Sequence, residues 1–126
     1  MEKAVVIFCL VHFSVIGLSH IFAPRGWVSF FVWLREKGEA GVFVVGGMSL
    51  WFGSIIVAFH NVWTGPAVVL TVLGWAQIVK GALYCVFPRV GLKMLERVSE
   101  KMERQFIYGG AVSLAIGAYL GWLLLS

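Results

Sequence analysis

The chain has 126 residues, 60% of them hydrophobic and 13% charged, with a formal net charge of +4 and a mean hydropathy of +0.93. About a quarter of residues are charged in an ordinary soluble domain, and a domain this small has too little interior to hide so much apolar surface. The composition excludes a soluble domain and makes a bilayer the solvent for most of the chain.

A membrane span needs about 20 predominantly apolar residues. The first candidate is Ala4–Ala23. Glu2 and Lys3 precede it and no small-residue cleavage site follows, so it reads as a retained helix and not a signal peptide. Pro24 and Arg25 come next. Proline disfavours helical geometry in the residue before it, which ends the span there. The segment Trp27–Arg35 is apolar and carries Trp27 and Trp33, which suits the headgroup zone.

The second span is Ala40–His60, with Val45, Ser49, Gly53 and Val57 at four-residue steps. In the connection to Gly65, Asn61 is expected at a helix end or turn and Trp63 as an outer interfacial anchor. Thr64 is expected to cap the third span, Pro66–Phe87, with Pro66 in its first turn. After Pro88 and Arg89, apolar residues Leu92, Leu95, Val98 and Met102 recur at three- and four-residue steps among Lys93, Glu96, Arg97, Glu100, Lys101 and Glu103. This pattern predicts an amphipathic helix lying in the interface plane. The fourth span, Gln105–Leu125, carries Gly109, Ser113, Gly117 and Gly121 at strict four-residue spacing.

Displacing the chain by 64 positions lays Val5–Gly53 over Val69–Gly117 without a gap. Identical pairs include Gly17/Gly81, Pro24/Pro88, Arg25/Arg89, Glu36/Glu100, Gly46/Gly110, Ser49/Ser113 and Gly53/Gly117. Matching glycines, prolines and charges do not arise from shared hydrophobicity, so the sequence reads as two tandem copies. Repeat 1 covers about residues 4–60 and repeat 2 about 66–125 of one transmembrane domain. Each runs span, Pro-Arg, amphipathic segment, span. The expected fold is all-α, two parallel helical-hairpin repeats related by an axis along the membrane normal. The small-residue stripe predicts that the second and fourth spans meet at Ser49/Gly53 and Ser113/Gly117, because small residues let helix backbones approach closely in lipid; the alternative is that the stripe on the fourth span forms a homodimer contact.

Eight of the ten Lys and Arg residues lie in the two Pro-Arg segments. The positive-inside rule puts those segments in the cytoplasm and both termini outside. The same cations attract anionic lipid. Interleaved acids argue against nucleic acid. Cys9 and Cys85 fall near opposite membrane faces, so they are expected as separate apolar thiols and not a disulfide.

Among groups that could carry chemistry, Lys80 stands first. It lies in the third span, about 12 Å from Pro88 at 1.5 Å per residue, with Gln77 and Tyr84 on its face. An ionisable residue within a span is a functional-site candidate, although a lysine stem can also snorkel to the headgroups. No span contains Asp or Glu to pair with it, and its counterpart in repeat 1 is Ile16. His20 and Tyr84 are repeat equivalents, one turn before each proline; they read as polar-tipped interfacial anchors or, with Ser19 and Lys80, as the walls of a candidate polar pocket for a ligand or lipid. His12, His20 and His60 lie at three depths, which disfavours bis-histidine haem. No carboxylate or cysteine at usable spacing completes a metal site. No cofactor is expected, and no catalytic triad, phosphate loop or carboxylate pair points to an enzyme.

The runs His20-Ile-Phe-Ala-Pro-Arg-Gly-Trp, Trp33-Leu-Arg-Glu-Lys-Gly, His60-Asn-Val-Trp and Gly74-Trp-Ala-Gln-Ile-Val-Lys-Gly resemble small four-span bacterial inner-membrane proteins of uncharacterised function. The second half also resembles two-span bacterial membrane proteins built as span, Phe-Pro, basic amphipathic segment, span. The resemblance implies a bacterial cytoplasmic membrane and brings no activity or catalytic residue. The leading expectation is an auxiliary or scaffolding subunit that packs against a larger membrane complex or its own copies. The alternative is a small transporter or channel for a lipid or small anion, with Lys80 and His20 lining a cytoplasmic cavity.

Overall fold

The computed structural model describes residues 2–99 and 101–126, which are helical apart from short connections. Six helices follow in order: α1 (Glu2–Phe22), α2 (Pro24–Glu36), α3 (Glu39–Phe59), α4 (Val68–Val86), α5 (Pro88–Glu96) and α6 (Glu103–Leu125). Helices α1, α3, α4 and α6 are long and apolar enough to cross a membrane. This is an all-helical small membrane protein.

The chain divides into two compact units. The first comprises α1, the start of α2 through Ser29, and α6; the second runs from Phe30 to Ser99. In the first unit α1 packs along α6, and in the second α3 packs along α4 with α5 laid against both.

The α1–α6 pair is built on a glycine crossing. A Cβ on Gly17 would lie 2.8 Å from the Gly110 carbonyl oxygen, and one on Gly110 would lie 2.7 Å from the Gly17 carbonyl oxygen. Only bare backbone permits this approach, and the dispersion contacts it brings hold helices together in lipid. Seven residues further along α6, a Cβ on Gly117 would meet Ser14 Oγ at 2.6 Å.

The α3–α4 pair is built likewise. A Cβ on Gly81 would lie 2.6 Å from the Gly46 carbonyl oxygen, and one on Gly53 would lie 2.5 Å from that of Gly74. Ile56 and Leu70 are fully buried in this unit, as is Leu120 in the other.

The expected meeting of Ser49/Gly53 with Ser113/Gly117 is corrected. Gly53 faces Gly74, Gln77 and Ile78 of α4, whereas Gly117 faces Ser14 of α1. Within the stripe on α6, Gly109 faces open space and the close approach belongs to its neighbour Gly110. Gly121 makes an ordinary contact, its Cβ position 3.8 Å from Leu10 Cδ1. Ser49 is buried and Ser113 half-buried. Four-residue spacing marked two helices that do pack through small residues but paired them with each other, whereas α3 packs on α4 and α6 on α1; the close approaches fall at Gly46, Gly53 and Gly110, Gly117, which recur at seven-residue spacing. Seven residues is close to two turns of a 3.6-residue helix.

Two local expectations also change. Thr64 does not cap α4: the chain turns at Gly65 (φ 78°), Pro66 and Ala67 form the turn, and the helix begins at Val68 with no side-chain cap. The second amphipathic segment is helical only as Pro88–Glu96, with Val98 and Met102 beyond its end. Glu100, assigned to that segment from sequence, lies outside the described residues. α5 directs Gly91 and Leu95 inward, where Leu95 joins Leu34, Val42 and Tyr84 in one buried cluster. The prolines stand where expected, with α1 ending at Phe22 before α2 begins at Pro24, and α4 ending at Val86 before α5 begins at Pro88.

Candidate functional site

Polar side chains gather in three places. At the Pro24 end of the first unit, His20 projects from α1 and donates from Nδ1 to the Ile16 carbonyl oxygen at 2.8 Å. Its ring stacks on Trp27 at 4.2 Å between centroids and on Phe106 at 5.6 Å. Trp27 in turn donates from Nε1 to Ser19 Oγ at 2.8 Å. His20 is thus a ring sandwiched between α2 and α6 aromatics, not an open pocket wall. Arg25 and Glu103 lie 3.6 Å apart beside it. At 89% exposure of the Arg25 side chain, such a pair contributes little to stability.

The second gathering lies at the Pro88 end of the other unit. Lys80, Gln77 and Tyr84 share α4 but not one environment. Tyr84 is buried at 8% exposure, packed with Leu34, Val42 and Leu95. Gln77 has its Cβ against the Gly53 position of α3, 2.9 Å from where a Cβ would sit. Lys80 is exposed on the outer surface of the helix. Its Nζ lies 5.8 Å from the Tyr84 ring centroid, so the stem runs along α4 toward Pro88. His20 belongs to the first unit, where Ser19 is its neighbour through Trp27, and Lys80, Gln77 and Tyr84 belong to the second. Arg35 of α2 donates to the Val98 carbonyl oxygen just beyond α5, where a cation offsets unpaired carbonyls at a helix C-terminus. Lys37 lies over the Trp33 ring at 5.4 Å.

The third gathering closes the α3–α4 connection. His60 is 2% exposed and Thr71 fully buried. Thr71 Oγ1 accepts from Val62 N at 3.0 Å and lies 2.7 Å from the Val62 carbonyl and 3.4 Å from the His60 carbonyl. His60 Nε2 donates to the Ala67 carbonyl at 3.0 Å, while its Nδ1 is buried without a hydrogen-bond partner in the structure. Trp75 Nε1 donates to Asn61 Oδ1 at 3.3 Å. This is a connection stapled to α4 by side chains, since a buried backbone polar group must be paired. Thr71 was missed from the sequence; its signal was a lone hydroxyl in an apolar run, Val68 to Gly74.

The remaining features are apolar. A shallow groove along α1 is lined by Ile7, Phe8, Val11, His12, Val15 and Ile16. Cys9 is buried, Cys85 is half-buried and both are free thiols. Among the described residues no three His, Cys, Asp or Glu side chains are placed to hold a metal ion.

Residues 69–124, fewer than half of the chain, match a family described as "Uncharacterized protein conserved in bacteria (DUF2065)". The matched stretch runs from α4 through α6. No curated protein matches the chain, and no solved structure does.

Proposed function

We propose that this protein is an auxiliary or scaffolding subunit of the bacterial cytoplasmic membrane, a duplicated helical hairpin whose outer surface packs against a larger complex or copies of itself. The carrying observation is how the polar side chains are used. His20, His60, Thr71 and Tyr84 all turn into internal contacts. The outward faces carry large apolar residues such as Val11, Met48, Trp51, Val79 and Val112. A protein that stabilises neighbours in the bilayer needs that surface and needs no reactive group. The Pro-Arg segments face the cytoplasm and anionic lipid, with both termini outside, on the strength of their Lys and Arg excess. α5 supports the interfacial role, with Arg89, Lys93 and Arg97 exposed opposite Gly91 and Leu95.

Transport by way of Lys80 draws less support, because that side chain lies on an exposed helix face. The deciding experiment is purification of a tagged copy in mild detergent, followed by reconstitution into liposomes. A stoichiometric membrane partner is the expected result. Monodisperse, partner-free protein that moves a solute, with flux abolished by Lys80→Met, would replace this reading with a transporter.

A further inference from the structure

The contacts in the two units obey one rule of correspondence. In the first unit Gly17 meets Gly110 and Leu114, Ser14 meets Gly117, Leu10 meets Gly121, and the His20 Cβ lies 2.8 Å from a Cβ on Gly110. Add 64 to each α1 position and subtract 64 from each α6 position. The result is Gly81 with Gly46 and Leu50, Ile78 with Gly53, Gly74 with Val57, and Tyr84 with Gly46, and all of these contacts occur in the second unit. The Tyr84 Cβ even lies at the same 2.8 Å from a Cβ on Gly46. Shifts of opposite sign are what an exchange of partners requires. Had each half closed on itself, Gly17 would meet Gly46, and Gly81 would meet Gly110.

We infer that this chain is a two-span unit fused to its own dimer partner, with the spans exchanged between the halves. The first span of each half is held by the second span of the other, and the partner surface of the unit is the glycine-bearing face of that second span. The kind of partner it fits is defined in turn: a second chain built as span, Pro-Arg, interfacial helix, span, with Gly at the position of Gly17 or Gly81. The arrangement has a physical cause. Packing, and not hydrophobic burial, drives helix association in lipid, and one register satisfies both glycine faces of a symmetric pair at once. The interfacial segments supply the means. α5 leaves α4 directly at Pro88 and is anchored by Gly91 and Leu95 on the α3–α4 pair, so the chain runs along that pair before it enters α6.

A full-length chain with Cys9→Ala and Cys85→Ala, and a protease site inserted between Trp63 and Thr64, tests this. After cleavage in mild detergent the two halves are expected to co-elute in a 1:1 ratio. In a second set, Ser14→Cys with Gly117→Cys, or Leu10→Cys with Gly121→Cys, whose positions are in ordinary contact, is oxidised before cleavage. Each disulfide is expected to join one half to the other and return the intact-chain mass on a non-reducing gel. Separation of the uncrosslinked halves overturns the inference. So does an oxidised sample that runs only as half-chains after cleavage, or one that runs at twice the chain mass before cleavage, which would place the partner span on another molecule.

Discussion

The Pro24 end of the first unit and the Pro88 end of the second use the same three positions to different ends. His20, Trp27 and Phe106 stand 64 residues from Tyr84, Gly91 and Val42. In one unit they form a stack of rings with Ser19 holding the indole. In the other, the tyrosine is buried among aliphatic side chains, and a Cβ on Gly91 would run into Val42 and lie 3.2 Å from the Tyr84 ring. Volume has been traded: the bulk of Trp27 in one node is absent at Gly91 in the other, where the α5 backbone itself comes down on the ring. The glycine crossings beneath both nodes are alike, so side chains at the node can diverge while the backbone pairing stays fixed.

The sharpest way to break this comparison is at the crossings. Gly17→Leu and Gly81→Leu are each expected to cost roughly 3 kcal/mol or more, since overpacking against backbone has no flexible atom to move. Thermal unfolding in detergent would show loss of folded protein in both, with Gly109→Leu, which points into open space, unchanged. If only one crossing variant fails, the two pairs are not equivalent. The nodes come next. Tyr84→Ala removes a buried ring and is expected to lower stability by about 3 kcal/mol. His20→Ala loses ring stacking worth about 1 kcal/mol, visible also as a shift in Trp27 emission. Gly91→Trp, which writes one node into the other, should not fold.

Between those two in size stands Arg35→Gln. It removes a charged donor from the Val98 carbonyl and is expected to cost about 1.5 kcal/mol, with faster amide hydrogen exchange confined to residues 97–99. The smallest effect belongs to Lys80→Met. An exposed side chain with no ion pair among the described residues should change stability by no more than about 0.5 kcal/mol, and a larger loss would show that Lys80 holds the fold together.

Much of this was legible in the sequence because its causes are local. Each span is a run of apolar residues, and the first and third each end before a proline that fixes its neighbour's geometry, so Pro24 and Pro88 could be placed from composition and sterics alone. The 64-residue correspondence also named Gly17, Gly46, Gly81 and Gly110 as positions kept in both halves. Other features depended on neighbours distant in the chain. Lys80, Gln77 and Tyr84 lie within one face by spacing, yet one is exposed, one is against α3 and one is buried, because α3 and α5 cover only part of α4. His60 read only as the end of the second span, but it is buried, its Nε2 donates to the Ala67 carbonyl oxygen, and Thr71 Oγ1 lies against its backbone carbonyl.

The sequence by itself determined that the chain is four apolar helices with charged segments between them, written in two similar halves. Helix propensity, hydropathy and proline sterics act within a few residues. Only the tertiary structure decided which span pairs with which. In lipid every helix is apolar all round, so hydrophobicity cannot choose the partner. That choice rests on where two backbones can approach within van der Waals distance, at Gly17 with Gly110 and at Gly46 with Gly81.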